Sequence, residues 1–69
     1  MTETRIEELA TDETRKAFPR LERDDQVRFM AVVRAATKTI VDDYAIEDFR
    51  EDETVRELIA IDLKNMFES

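Results

Sequence analysis

Apolar side chains return at helical spacing through three stretches of this sequence, each opened by residues suited to starting a helix. In the first, Thr4 and Glu7 form a capping-box pattern, with Ile6, Leu9, Ala10, Ala17 and Phe18 on one face. This predicts a helix over about residues 4–18. Thr11, followed by Asp12 and Glu13, is a second start signal and leaves room for a break or bend near residue 11. Pro19 ends the helix because its ring disfavours helical geometry at Phe18, and Arg15 and Lys16 suit the negative end of the helix dipole.

The second stretch opens at Asp24 or Asp25, with Leu21 placed as a hydrophobic staple, and runs to about residue 45 without proline or glycine. Phe29, Met30, Val33, Ala36, Ile40, Val41 and Tyr44 gather on one broad face, with Val27 and Ala45 at its edge; such width suits a helix with two neighbours. A connector holding Ile46 and Phe49 follows. Asp52 then caps a third helix, over about 52–67, with Val55, Leu58, Ile59, Leu63, Met66 and Phe67 in register. No useful length alternates as a strand does. The fold class expected is all-α: three helices, short, long and medium, forming one domain over residues 1–69. They form either a small bundle or an open helical unit that dimerises through the central helix.

Size and missing residue types narrow the chemistry. A chain of 69 residues holds one thin core, which a partner or a second copy is expected to complete. Cysteine is absent, which excludes a disulfide frame and thiolate metal sites. Histidine is absent too, and with it the commonest general base and transition-metal ligand. Without glycine there is no phosphate-cradling loop or nucleophile elbow. The opening residues are acidic where a secretory leader is basic, and the longest apolar run is only Phe29 to Val33. No membrane span is expected, and the cytoplasm is the expected compartment.

Charge changes the picture most. The net charge is −7, but residues 15–38 sum to +4 while residues 39–53 sum to −6. Between Asp42 and Glu53, seven acids face a single base, Arg50. Glu51, Asp52 and Glu53 suit the start of the third helix. Asp42 and Asp43 do not suit the end of the second, where carboxylates meet the negative end of the dipole. Asp42, Asp43, Glu47, Asp48 and Glu51 are therefore the candidate docking patch for a basic surface; solubility is the plainer explanation of the same acids.

The spacing lacks the central glycine and twelfth-position glutamate of a calcium loop, and a carboxylate-bridged two-metal bundle would need histidine, so no metal or cofactor is expected. Arg15, Lys16, Arg20, Arg23, Arg28, Arg34 and Lys38 form a basic stretch diluted by Glu22, Asp24 and Asp25 and without interleaved exposed aromatics, which disfavours nucleic acid as a partner. The two charge poles instead suit pairing between copies. Asp62 falls within the apolar stripe of the third helix and needs a partner; Arg34 is the candidate for a structural ion pair. Val32 lies on the more polar side of the second helix, and Ile61 lies off the main stripe of the third.

These features fit a non-catalytic protein–protein interaction module: an adaptor, accessory subunit or regulator that binds a basic protein surface, a second copy of itself, or both. The alternative is an acidic inhibitor that imitates nucleic-acid charge in the basic groove of a nucleic-acid-binding protein, as phage anti-defence proteins and antitoxins do. An enzyme is not expected, because no arrangement joins a nucleophile to a base.

Overall fold

A computed structural model describes residues 1–68. Four helices follow in order: α1 (Glu3–Ala17), α2 (Leu21–Asp24), α3 (Gln26–Asp43) and α4 (Asp52–Glu68), with a short 3-10 turn at Ile46–Asp48 before the last. Among the described residues there is no strand.

Local chemistry places each boundary. Thr2, not Thr4, caps α1, its hydroxyl accepting from the Arg5 N–H at 3.2 Å. This earlier start brings the Met1 ammonium to 3.3 Å from the Phe49 carbonyl, which accepts its hydrogen bond. Helix α1 is not broken at residue 11: the Thr11 hydroxyl donates back to the Glu7 carbonyl at 2.8 Å within the helix instead of capping a new one. Before Pro19, Phe18 leaves helical geometry and its N–H closes on Thr14 O.

The expected three helices become four because Leu21 does not act as a staple. It starts the single turn α2, and the chain breaks at Asp25, whose carboxylate accepts from the Arg28 N–H at 3.1 Å and so caps α3. At its other end α3 stops at Asp43, short of the expected residue 45. Tyr44 is extended there, as two carboxylates on the negative end of a helix dipole would favour.

Helix α1 packs on both α3 and α4, α3 packs on α4, and α2 covers α3. Contacts tie Met1 to Phe49, Arg5 to Asp52, Arg56 to Asp12 and Glu13, and Phe18 to Phe67. Helices α1 and α4 therefore run parallel in matched register, and α3, joined to α1 through the short α2, runs against them. The result is an up-down-up bundle with its core on the shared axis.

That core is Ile6, Leu9 and Ala10 of α1, Phe29, Val32, Val33, Ala36 and Ile40 of α3, and Val55, Ile59 and Leu63 of α4. Thr14 continues the α1 stripe where Ala17 was expected; its buried hydroxyl is satisfied by the Ala10 carbonyl at 2.7 Å, as Thr37 is by Val33 at 2.8 Å. Ala17 is exposed. Val32 was placed on the polar side and is instead only 8% exposed, since α3 has neighbours on more than one side. Val27, placed at the edge of the apolar face, is 83% exposed. Ala45 and Tyr44 lie beyond the helix end and are also exposed.

Phe29 is the largest fully buried side chain, so its truncation removes the most packing from the smallest reserve. Phe29→Ala is expected to cost about 3–5 kcal/mol and leave the chain largely unfolded. Asp25→Ala removes one cap and is expected to cost about 1 kcal/mol. Urea denaturation followed by circular dichroism separates the two, and equal losses would contradict this packing.

Candidate functional site

Parallel α1 and α4 bring like segments of the chain to common ends. One end holds the start of α1, the end of α3, the 3-10 turn and the start of α4, and it gathers the acids that the sequence singles out. Asp42 closes an i, i+4 ion pair with Lys38 at 2.7 Å, which pulls the ammonium pKa up. Asp43, Glu47, Asp48 and Glu51 are exposed and have no ion-pair partner among the described residues. Asp52 behaves differently: it opens α4 and binds the Arg5 guanidinium. That hydrogen bond holds its carboxyl below the usual range and holds the Arg5 pKa up. The structure thus separates Asp52, which is tied down, from four carboxylates that are free.

Beside this end a groove of about 250 Å³ runs between α3 and α4, lined by Thr39, Asp43, Tyr44, Leu58, Ile61 and Asp62 among others. One carboxylate oxygen of Asp62 is buried here with no hydrogen-bond partner. Burial is the main cause that raises its pKa; the nearby Asp43 charge adds to the shift and the Thr39 hydroxyl opposes it. The expected ion pair with Arg34 does not form. Five residues separate Arg34 from Thr39, a rotation of about 140° around α3. Arg34 therefore lies in the open, along a depression with Glu3, Glu7, Lys38 and Asp42. Ile61 is exposed, as its place off the stripe suggested.

The opposite end holds the close of α1, α2, the start of α3 and the close of α4. Sequence reasoning assigned Phe18 and Phe67 to apolar stripes, but both lie where the bundle runs out. Their rings meet at 4.6 Å, tilted by 59°, and Phe67 stays 48% exposed. A groove of about 620 Å³ lies against them, lined by Ala17, Pro19, Arg20, Leu21 and Arg28 as well. A second of about 440 Å³, reaching Glu13, Lys16 and Lys64, shares Ala17, Phe18 and Phe67. The available signal was positional: each phenylalanine is the last apolar residue of its stretch, and arginines cluster around Pro19.

Two further arginines are engaged. Arg15 donates two bonds to Glu22 at 2.9 and 3.0 Å, which lowers the Glu22 pKa, and its guanidinium stands 5.8 Å from the Phe29 ring centre. Arg56 bridges Glu13 at 3.0 Å and Asp12 at 3.3 Å. Among the described residues no cluster of three or more His, Cys, Asp or Glu is arranged to hold a metal ion, and no helix is long and apolar enough to cross a membrane.

No protein family, curated protein or solved structure matches this chain.

The raised Asp62 pKa has a sign that can be tested. The folded carboxyl holds its proton more tightly than the unfolded one, so its contribution to stability falls as pH rises through the unfolded carboxylate pKa and is least above the folded value. Asp62→Asn removes the charge and is expected to stabilise the fold at neutral pH, by no more than about 1 kcal/mol after solvent screening. The gain should vanish near pH ~3, where the wild-type carboxyl is protonated. Urea midpoints at both pH values measure this; a gain unchanged by pH would contradict the assigned cause.

Proposed function

We propose that this chain is a non-catalytic protein–protein interaction module, a small adaptor, accessory subunit or regulator, that docks a basic protein surface with its acidic end. The observation that carries this reading is the group Asp43, Glu47, Asp48 and Glu51, exposed and without an ion-pair partner among the described residues, while Asp42 and Asp52 beside them are held by Lys38 and Arg5. Like charges kept together raise the local potential, which speeds encounter with a positive surface and makes the contact sensitive to salt.

Charge alone gives rate and selectivity more than affinity, so the contact also needs an apolar anchor. Tyr44, 43% exposed and packed 5.8 Å from Phe49, stands between Asp43 and Glu47 and supplies one; Ile61 lies along the adjoining groove. Catalysis lacks support here, because the chain has no histidine or cysteine and the carboxylates at this end are open to water. The module is placed in the cytoplasm, the compartment expected of a chain without cysteine. A second copy, through its arginine-rich end, is one basic surface within reach.

The test compares two immobilised baits in extract of the source cells: the wild type and the variant Asp43→Asn/Glu47→Gln/Asp48→Asn/Glu51→Gln. The expected result is that basic proteins held by the wild type at low salt are lost from the variant and at high salt, with unchanged circular dichroism. Equal retention of the same proteins by both baits would remove the reading.

A further inference from the structure

We propose that the groove at the Phe18–Phe67 end takes the acidic end of a second copy of this chain, so that copies associate head to tail. The groove has an apolar floor from Phe18, Phe67, Pro19 and Leu21, and a rim from Arg20 and Arg28. A lone exposed phenylalanine is ordinary, but a tilted pair in contact beside an open groove leaves a continuous apolar surface without cover.

The rim states what the cover must be. Arg5, Arg15 and Arg56 each hold a carboxylate within the chain, whereas Arg20 and Arg28 have no ion-pair partner among the described residues. An occupant that satisfies both floor and rim carries an aromatic or aliphatic side chain flanked by carboxylates. The far end of this same molecule is built that way: Tyr44 is exposed on extended backbone, with Asp43 before it and Glu47 three residues beyond.

One molecule cannot satisfy itself. The two ends lie at opposite poles of a body whose longest extent is 35 Å, because α1 and α4 run parallel. The contact is therefore intermolecular and joins unlike surfaces, and each added copy leaves one free groove and one free acidic end. Such contacts grow with concentration into chains or close into rings, and they do not stop at a two-fold dimer. Opposite charges across the contact make it weaken with salt.

This association uses the acidic end that the proposed partner also uses, so the two exclude each other. Its test needs no partner and therefore fails or succeeds independently of that reading. Light scattering across concentration, at low and high salt, is applied to the wild type, to a groove variant (Arg20→Glu/Arg28→Glu) and to an acidic-end variant (Asp43→Asn/Tyr44→Ser/Glu47→Gln), with circular dichroism to confirm the fold of each. The wild-type mass is expected to rise roughly twofold or more at low salt and return to that of the monomer at high salt. Each variant alone is expected to stay monomeric. Their equimolar mixture is expected to give a one-to-one pair and nothing larger, because it retains a single intact groove and a single intact acidic end.

A wild type that is monomeric at every concentration in low salt would overturn the proposal and leave the groove to an acidic segment of another protein. A salt-insensitive dimer would overturn it too, as would folded variants that associate like the wild type or a mixture that does not pair.

Discussion

Arg56 reaches from α4 to Glu13 and Asp12 on α1, and Arg5 reaches from α1 to Asp52 at the start of α4, so two cross-helix pairs, about one turn apart on α4 and two on α1, lock these helices into parallel register. Exposed ion pairs contribute little, about 0–1 kcal/mol each. The Arg56–Glu13 pair is less open than most, with side chains 22% and 14% exposed, and screening by water and salt is correspondingly reduced. Burial of Phe29, Ile6, Leu9 and Ile59 supplies the stability, but apolar contact is not directional. The cross-helix arginines set which way α4 points, and that direction decides which segments share an end.

Once α1 and α4 are parallel and α3 runs against them, the charge pattern of the linear chain becomes a charge pattern of the molecule. Two helix amino termini, of α1 and α4, sit at the acidic end, and their positive dipole ends favour Glu3, Asp52 and Glu53 there. The same dipoles leave two carboxyl termini at the opposite end, where Arg15 and Lys16 close α1. Asp42 and Asp43 go against this scheme at the end of α3. Lys38 answers Asp42, and Asp43 is left to face Asp62 across the groove. A residue that is locally unfavourable and not compensated within the fold is where an outside contact has the most to offer.

The all-helical class was legible because a 3.6-residue period over 15 to 18 positions is a strong signal, as was the acidic cluster, which is contiguous in sequence. The α2 turn was not. Four residues are too few for a period, and Leu21 suits a staple as well as a first helical residue. Periodicity gives each helix a face but not a neighbour. Val32 was therefore misplaced on a helix packed on more than one side, and Arg34 was matched with Asp62 although about 140° of rotation and the body of α3 divide them. The Phe18–Phe67 groove depends on residues 49 apart meeting at a bundle end, which only the register of α1 against α4 determines.

Separation of charge between the two ends is the claim on which both functional readings rest. Nuclear magnetic relaxation of backbone amides, measured with a cationic and then an anionic soluble spin probe at low salt, tests it most directly. The cationic probe should enhance relaxation most over residues 43–51, which hold four acids and one base, and the anionic probe over residues 15–20, which hold three bases and no acid, with both contrasts reduced at high salt. Enhancement by the two probes that is alike at both ends would contradict the account.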